Sequence, residues 1–491
     1  MELDLIIKAK NIRVDHAGRD ILDIEELELT AYDRIGLIGR NGSGKTTLLN
    51  ILSGVKEVPG SEVKRFGEIS YLPQLERGKE SSGGSFDPAL RSRLGIAHLE
   101  EATMSGGEET RRKIAKALSQ QVHGLFADEP TCHLDREWVD FLINQLMVYR
   151  GAFLIVSHDR YFLDETVDKI WELKDGKIIV YWGGYSDYRT AKDAERKRAA
   201  EEYIRVTQEK ERLERSIQEK QAQANKIEKK QKGASRKKAN ESTGRLGHQK
   251  TVGTKQKKLH HAARNMEHRK DSLRTVKPPE EMRRIHFRES EALALNNKFP
   301  VAGSGVSLSY GERVIFEDAA FVIPLGSKVA LTGGNGSGKT TLLKLILEGG
   351  PGLTISPKAV FGYLSQSDYQ LVCGQSVISY MQEESAYQVS EIRAILASLG
   401  FNPEDVRKDL GVLSGGEIVK LKLARVMLGR YNILLMDEPG NYLDIYSIEA
   451  LESMMQDYAG TIIFVSHDRR FIDKVADVVY EIRDHKIHRV R

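Results

Sequence analysis

Length, composition and charge set the first limits on this chain. It has 491 residues, enough for two or three domains, and its 40% hydrophobic and 29% charged residues are typical of a globular protein. Its two cysteines, Cys132 and Cys373, exclude a disulfide framework and a four-cysteine metal site. No apolar run reaches the roughly eighteen residues of a membrane span, and the first ten residues, with Glu2 and Asp4, do not form a secretory signal. A cytoplasmic protein with no membrane partner is expected.

Positive charge is concentrated in the middle of the chain. Residues 191–290 hold 29 Lys and Arg against 15 Asp and Glu, whereas the other 391 residues hold 45 against 55. A basic segment between two mildly acidic lobes indicates a polyanionic partner for the middle.

The first lobe opens with short β-rich pieces that lead to a glycine-rich loop. Strands are predicted at Leu5–Ile7, Ile12–Val14 and Leu27–Leu29, and another at Ile35–Ile38. The loop that follows reads Gly39-Arg40-Asn41-Gly42-Ser43-Gly44-Lys45-Thr46, then Thr47, and Leu48–Leu52 has helical character.

The same arrangement recurs in the second lobe. After the apolar run Val329–Leu331, and before a predicted helix at Leu342–Leu347, the chain reads Gly333-Gly334-Asn335-Gly336-Ser337-Gly338-Lys339-Thr340-Thr341. Glycines let backbone N–H groups point at phosphate oxygens, and the helix presents its positive end to the same anion. Lys45 and Lys339 are expected to reach the β and γ phosphates, and Thr46 and Thr340 to offer a hydroxyl to Mg²⁺. Two sites for ATP with Mg²⁺ are therefore predicted.

An aromatic residue precedes each loop lysine by the same interval. His16 stands 29 residues before Lys45, and Tyr310 stands 29 residues before Lys339. Because aromatic faces pack on flat bases, both rings are expected to stack on adenine.

A glutamine follows each loop at a predicted strand end. Gln74 closes Tyr71-Leu72-Pro73-Gln74, and Gln366 closes Tyr363-Leu364-Ser365-Gln366. Either amide could contact Mg²⁺ or the attacking water.

A second anion-binding element lies further along each lobe. Ser105-Gly106-Gly107 opens a predicted helix at Glu109–Leu118, and Ser414-Gly415-Gly416 opens one at Ile418–Met427. Backbone N–H groups at a positive helix end form another cradle for phosphate.

Two adjacent carboxylates end an apolar strand in each lobe. In the pairs Asp128-Glu129 and Asp437-Glu438, the aspartate is predicted to contact the Mg²⁺ shell and the glutamate to orient or deprotonate a water. His158 and His467 each end a later apolar strand, 29 residues after the glutamate, and are candidates to hydrogen-bond the γ-phosphate. The interval from the signature serine to the glutamate is 24 residues in both lobes.

The ordered motifs resemble the nucleotide-binding domains of the ABC ATPase superfamily. They correspond to Walker A, Q-loop, signature, Walker B, D-loop and switch histidine, over about 390 of the 491 residues. The resemblance implies an α/β fold class with two ABC-type P-loop ATPase domains in tandem, arranged head to tail. Lys45 would then share an ATP with Ser414, and Lys339 one with Ser105. Domain bounds of 1–189, 190–289 and 290–491 are expected.

The two lobes also differ. The loop after Glu129 reads Thr131-Cys132-His133-Leu134-Asp135, and the loop after Glu438 reads Gly440-Asn441-Tyr442-Leu443-Asp444. The glutamine lies 31 residues before the signature serine in the first lobe and 48 in the second, so a reduced first helical subdomain is expected. The two sites need not hydrolyse ATP equally.

The middle segment reads as a long antiparallel helical hairpin linker. A 3-4 apolar spacing predicts one helix from about Tyr188 to Gln231 and a second that ends at Pro278-Pro279. The spacing residues are Val206, Leu213, Ile217, Ala224 and Ile227, then Leu259, Ala262, Met266, Leu273 and Val276. Gly233–Gly253 is glycine-containing and basic, with a predicted turn at 244–248 as its tip. The candidate ribosome-binding residues are Arg236, Lys237, Lys238, Arg245, Leu246, His248 and Lys250.

Two ABC lobes and a basic helical linker on one chain resemble the ABC-F family, whose members bind ribosomes. Within it the chain is similar to the Msr-type antibiotic-resistance proteins. That resemblance implies a monomer that, with ATP bound, occupies the tRNA exit site, with large-subunit rRNA and P-site tRNA as partners. The linker tip would reach towards the peptidyl-transferase centre and alter binding of macrolide, ketolide or streptogramin B drugs, and hydrolysis would release the protein.

Two other functions remain open at this point. A housekeeping ABC-F translation factor would keep the ribosome and lose the drug role. A DNA-maintenance ATPase, or the motor of a transporter, would use the same ATP motifs for a different partner.

Overall fold

The computed structural model describes most of the two lobes and much of the hairpin. The described residues are 5–16, 18–73, 112–114, 116–118, 122–132, 134–237, 246–274, 276, 295–365, 374–383, 385 and 387–491. They form two compact units, one of Met1–Tyr188 with Met282–Arg491 and the other of Arg189–Glu281.

The first lobe contains one mixed sheet and one antiparallel sheet. Its strands are β1 Leu5–His16, β2 Arg19–Thr30, β3 Arg34–Gly39, β4 Glu62–Arg65, β5 Ile69–Leu72, β6 Gly124–Asp128, β7 Ala152–Val156, β8 Lys169–Lys174 and β9 Lys177–Trp182. The larger sheet has the order β5-β6-β7-β3-β8-β9, parallel except for β9, and the smaller has the order β2-β1-β4. The predicted pieces at 5–7 and 12–14 are parts of the single strand β1.

The second lobe repeats this topology. Its strands are β10 Val301–Tyr310, β11 Arg313–Ile323, β12 Lys328–Thr332, β13 Leu353–Ile355, β14 Phe361–Leu364, β15 Ile433–Asp437, β16 Thr461–Val465, β17 Val478–Arg483 and β18 Lys486–Arg489. The orders β14-β15-β16-β12-β17-β18 and β11-β10-β13 match those of the first lobe strand for strand. Because central parallel strands are covered on both faces, β6, β7, β15 and β16 are buried along their whole length.

Helices follow the strands that carry the motifs. In the first lobe they are Lys45–Ser53, Arg136–Val148 and Arg160–Thr166, and residues 112–114 and 116–118 are also helical, within the helix predicted at Glu109–Leu118. In the second they are Lys339–Glu348, Val377–Gln382, Val389–Ser398, Gly415–Leu428, Ile445–Asp457 and Arg469–Val475, with 3-10 turns at Asp405–Arg407 and Leu410–Val412. The expected reduction of the first helical subdomain concerns residues 74–105, which lie outside the described residues.

The middle segment contains an antiparallel pair of helices, Tyr185–Lys237 and Leu246–Ser272. Two hydrogen bonds connect these helices, from Lys270 to Glu214 (3.2 Å) and from Gln221 to Glu267 (3.1 Å). The later residue of the first helix pairs with the earlier residue of the second, so the two helices run antiparallel. No described helix carries an apolar stretch long enough to cross a membrane.

Packing within the hairpin agrees with part of the predicted apolar pattern. Leu213, Ile217 and Ala224 are buried as predicted. On the second helix Ala263 is buried, whereas the predicted Ala262 is only half-buried. Three other residues predicted for that helix are half-buried as well, namely Leu259, Met266 and Leu273.

The ends of the hairpin helices differ from the prediction. The second helix ends at Ser272, so Pro278-Pro279 does not terminate it. Leu246 begins that helix, and His248 and Lys250 lie in it, so the predicted turn at 244–248 is wrong over its last three residues. Arg236 and Lys237 end the first helix, while Lys238 and Arg245 lie outside the described residues.

Candidate ATP-binding sites

The two glycine-rich loops connect β3 and β12 to the helices Lys45–Ser53 and Lys339–Glu348. Gly44 and Gly338 precede these helices with φ of 101° and 105°, which side chains rarely adopt. A Cβ on Gly44 would lie 2.5 Å from Ile21 Cγ2, and one on Gly338 would lie 2.7 Å from Ile315 Cγ2. Both positions therefore require glycine, and the helix N-terminus is left open to an anion.

Each loop lysine is buried in its own loop. Lys45 Nζ donates to the carbonyls of Gly39 (2.8 Å) and Arg40 (3.2 Å), and Lys339 Nζ donates to those of Gly333 and Gly334 (2.9 Å each). Burial lowers the pKa of both ammonium groups. A buried cation within a curl of N–H groups is suited to bind phosphate.

The remaining loop residues also lie where a phosphate would be enclosed. Gly42 and Gly336 each have φ of 76°. The hydroxyls of Ser43 and Ser337 are buried without a hydrogen-bond partner among the described residues. Thr47 and Thr341 lie in the first turns of the following helices.

The threonine that follows each lysine lies next to the first carboxylate of the acidic pair. Thr46 Oγ1 donates to Asp128 Oδ2 over 2.5 Å. Burial raises the pKa of Asp437, and the Thr340 hydroxyl and Lys339 oppose that rise. Neither oxygen of Asp437 makes a hydrogen bond of normal geometry with a described residue. A hydroxyl and a buried carboxylate beside a phosphate cradle fit Mg²⁺, which takes a few protein oxygens together with phosphate oxygens.

The second carboxylate of each pair is held in a strained turn. Glu129 and Glu438 have φ of 53° and 54°, and their N–H groups donate to the carbonyls of Val156 and Val465. Burial raises the pKa of each glutamate to about 8. Lys45 and Lys339 oppose that rise, so each glutamate lies within electrostatic range of its loop lysine.

Each switch histidine lies against its glutamate. His158 Nε2 is 3.2 Å from Glu129 Oε1, and His467 Nε2 is 3.2 Å from Glu438 Oε1. Burial lowers the pKa of His158 to about 3 and that of His467 to about 4, so both imidazoles are neutral at pH 7. Each lobe thus brings its Asp, Glu and His together, and their roles in hydrolysis stay predictions.

The two lobes meet at the first glycine-rich loop. Asn41 N donates to Asp444 Oδ2 of the second lobe over 3.0 Å, and Asn41 Nδ2 donates to the Tyr442 carbonyl over 2.8 Å. A Cβ on Gly416 would lie 3.5 Å from Asn41 Nδ2, so the second-lobe signature lies against this loop. Ser414 caps that signature helix through a capping box with Glu417. We name this combination of Lys45 with Ser414 the first site.

The second loop is approached in the same way. Asn335 N donates to Asp135 Oδ2 of the first lobe over 3.3 Å. We name the combination of Lys339 with Ser105 the second site, although Ser105, Gly106 and Gly107 lie outside the described residues. The mirrored aspartate contacts favour the head-to-tail arrangement.

Several predicted contacts stay predictions. Tyr310 is 63% exposed at the end of β10, and Arg313, its partner across the turn, donates to the Gly336 carbonyl over 3.1 Å. His16 ends β1, and its side chain is not described. Gln74 and Gln366 lie outside the described residues.

Motif reading missed residues that connect the lobes. Asp135 and Asp444 cap the helices Arg136–Val148 and Ile445–Asp457 while accepting from the opposite loop. Lys420, on the signature helix, forms a buried ion pair with Asp444 at 3.0 Å. Burial works to raise the pKa of Asp444, but Lys420 and the Asn41 amide outweigh it and hold that pKa below its usual range. The available signal was the equal interval, six residues, from each catalytic glutamate candidate to its aspartate.

The fold and these sites define an ABC ATPase with two nucleotide-binding lobes on one chain. The family model described as "ABC transporter" matches residues 22–83 and 316–441. In solved structures, the chain is similar to "RNase-L Inhibitor", with a TM-score of 0.61 and 19% identity over 98% of this chain and 88% of that one. It is equally similar in fold to the chain of "Crystal structure of the complex of archaeal ribosomal stalk protein aP1 and archaeal ribosome recycling factor aABCE1", with a TM-score of 0.61 and 18% identity over 98% and 87%.

Sequence relatives define the family more narrowly. The chain is 36% identical to "Erythromycin resistance ATP-binding protein MsrA" of Staphylococcus epidermidis, over 97% of this chain and 98% of the relative. It is 34% identical to "Ribosome protection protein VmlR" of Bacillus subtilis (strain 168), over 96% and 86%. "ABC transporter F family member 5" of Arabidopsis thaliana is 26% identical over 97% and 75%. The chain belongs to the ABC-F family of ABC ATPases.

Proposed function

We propose that this protein binds ATP between its two lobes, engages the ribosome in that state, and protects it from macrolide-type antibiotics. The observation that carries the proposal is the pairing of the second-lobe signature and Asp444 with the first loop at Asn41. The printed names of two relatives, one for erythromycin resistance and one for ribosome protection, support the drug and the partner.

The residues at each site have distinct roles in hydrolysis. Lys45 and Lys339 neutralise phosphate charge, and Thr46 with Asp128, and Thr340 with Asp437, hold Mg²⁺, which supplies charge stabilisation at the phosphates when bound. Glu129 and Glu438, in their ionised forms, orient the attacking water and accept its proton. His158 and His467 are neutral at pH 7. Each would donate one ring N–H to the γ-phosphate.

ATP binding is proposed to select the form of the protein that binds the ribosome in the cytoplasm. The signature of one lobe and the loop of the other both contact the same ATP, so binding favours their closure. Hydrolysis removes the γ-phosphate that both lobes would contact, so the lobes separate and the protein is released from the ribosome. The proposed active form is a monomer, because both halves of each site come from one chain.

The linker is proposed to contact large-subunit rRNA near the P-site tRNA. Its ribosome-binding residues would be Arg236, Lys237, Lys238, Arg245, Leu246, His248 and Lys250. Lysine and arginine side chains bind a phosphate backbone without reading sequence, which suits folded rRNA.

Expression in a susceptible bacterial host tests the drug role. The wild type is expected to raise the minimal inhibitory concentration of erythromycin, and Glu129→Gln with Glu438→Gln to abolish that rise. Glu137→Gln is the matched control, because Glu137 is an exposed glutamate in the first lobe. Unchanged erythromycin sensitivity with the wild type well expressed would contradict the drug role and favour a housekeeping translation factor.

Variants in the linker separate ribosome binding from protection. Arg245→Ala and Leu246→Ala are expected to lose resistance while ATP-dependent ribosome binding is kept. Resistance equal to the wild type in both variants would show that these two side chains do not carry protection.

A further inference from the structure

A hydrogen-bonded cluster connects the first site to the start of the long linker helix. Tyr188, in the first turn of Tyr185–Lys237, donates to Glu172 Oε1 over 3.1 Å. Tyr446, two residues after Asp444, donates to the same oxygen over 2.5 Å, and the two tyrosine hydroxyls are 3.0 Å apart. Tyr188 and Glu172 are buried, so these hydrogen bonds satisfy polar groups that are removed from solvent.

A second hydrogen bond joins the same two helices. Tyr185 donates to Glu449 Oε1 over 2.9 Å, and both residues are buried. The rings of Tyr185 and Tyr188 lie 5.8 Å apart. We call Tyr185 and Tyr188 the root tyrosines, since they begin the linker helix.

The cluster is also attached to the first loop. Glu172 lies on β8 opposite Ile38, the residue before Gly39 on β3. The guanidinium of Arg40, the second residue of the loop, lies over the Tyr446 ring at 5.9 Å. Asp444 caps the helix that carries Tyr446 and accepts from the loop amide of Asn41. A shift of that helix would therefore move both the contact to the loop and the contact to the root tyrosines.

The second site is built differently at the same positions. In the helix Arg136–Val148, Glu137 takes the position of Tyr446 and is exposed, and Asp140 takes that of Glu449 and is half-buried. Helix Ile445–Asp457 is buried at nine of its thirteen residues, whereas Arg136–Val148 is buried at four. The helix behind Asp444 is thus fixed among neighbours, and the helix behind Asp135 presents one face to solvent.

We propose that Tyr446 and Tyr188 are positioning residues that couple ATP at the first site to the root of the linker helix, and that the second site lacks this coupling. The proposal rests on ATP binding between the lobes and does not depend on the ribosome. Because coupling between two sites is reciprocal, loosening the root tyrosines should also weaken ATP binding at the first site.

Hydrogen exchange of the full chain tests this coupling. In a Lys339→Ala background, where only the first site can bind ATP, ATP is expected to slow amide exchange in residues 189–198. Tyr446→Phe keeps the ring and removes the hydroxyl. It is expected to reduce that slowing about tenfold and to weaken first-site ATP affinity about tenfold, the factor that one lost hydrogen bond supplies.

Two comparisons make the result specific. Tyr149→Phe removes a hydroxyl that donates to the Val122 carbonyl within the first lobe, so it should leave both measurements unchanged. In a Lys45→Ala background, ATP at the second site should not slow exchange in 189–198. If Tyr446→Phe does not fold, Tyr188→Phe removes the partner hydroxyl and should give the same effect.

The proposal is overturned if ATP slows exchange in residues 189–198 equally in Tyr446→Phe and in its parent. It is also overturned if ATP slows that exchange as much in the Lys45→Ala background as in the Lys339→Ala background. Without nucleotide, Tyr446→Phe should still speed exchange in 189–198 relative to Tyr149→Phe, and no difference there would also overturn it. A protein that shows the coupling but does not bind ribosomes would contradict only the proposed function.

Discussion

Burial of the Glu438 carboxyl makes the free energy of unfolding depend on pH. Burial raises the pKa of this carboxyl from 4.5 to about 8, with Lys339 opposing and Asp437 adding to the rise. A carboxyl whose pKa is raised on folding binds more protons in the folded state, so stability falls as pH increases from about 4.5 to about 8. Replacing Glu438 with glutamine removes that ionisation and should stabilise the protein, more so at higher pH.

The size of the effect follows from the pKa difference. At about 1.36 kcal/mol per pKa unit, ionising Glu438 costs at most about 2 kcal/mol at pH 6 and about 4 kcal/mol at pH 8. Its side chain is 12% exposed, and local relaxation is expected to leave about half of that cost. Glu438→Gln should then be more stable by about 1 kcal/mol at pH 6 and about 2 kcal/mol at pH 8. For a domain of this size the higher figure corresponds to roughly 4–8 °C in Tm.

Thermal unfolding without nucleotide, at pH 6, 7 and 8, measures this difference. The exposed Glu137→Gln serves as the control and should not differ from wild type at any of these pH values. A Glu438→Gln variant whose added stability does not grow between pH 6 and pH 8 would refute the assignment of a buried, raised-pKa carboxyl.

Three further substitutions test the sites and the contact between the lobes. Gly44→Ala should abolish first-site ATP binding, measured with a fluorescent nucleotide, because its Cβ would lie 2.5 Å from Ile21. Lys420→Met should lower first-site ATP affinity about tenfold, because Asp444 loses its buried ion-pair partner at 3.0 Å. Arg160→Met should destabilise the protein to chemical unfolding by about 2 kcal/mol, because the fully buried Glu452 of the other lobe loses its 2.5 Å ion pair and keeps only the one with Lys474 at 2.6 Å.

Each of these substitutions has a control. Gly60→Ala has a similar φ of 82° with no atom within 4 Å of the added Cβ, so it separates backbone strain from the steric clash at Gly44. Lys420→Arg keeps the charge and should retain most of the ATP affinity. Arg483→Met removes an ion pair whose side chains are 66% and 86% exposed and should cost little. Equal effects of a test variant and its control would show that the named contact is not the cause.

The motifs could be read from the sequence because each needs particular residues. Only glycine tolerates the φ and the crowding at Gly44 and Gly338, so glycine occupies the same position in both phosphate loops. Apolar runs that end in Asp-Glu or in Ser-His predicted β6, β7, β15 and β16, because central parallel strands are buried on both faces. The same strand order in both lobes confirms the predicted tandem α/β fold.

The contacts between distant segments could not be read in this way. Tyr446 pairs with Glu172, 274 residues earlier, and no periodic pattern connects the two positions. Arg160 and Glu452 form a buried ion pair between the lobes. From the sequence alone, an isolated Arg or Glu is expected to be a solvated surface residue. The second hairpin helix ends at Ser272 and not at Pro278-Pro279, since the prolines mark only the last residue at which a helix could end.

Sedimentation with ribosomes tests the central claim most directly. The double variant Glu129→Gln, Glu438→Gln should bind ATP, stay closed and co-sediment with ribosomes in ATP, whereas the same protein in ADP should remain in the supernatant. A double variant that binds ATP and remains in the supernatant would contradict the account.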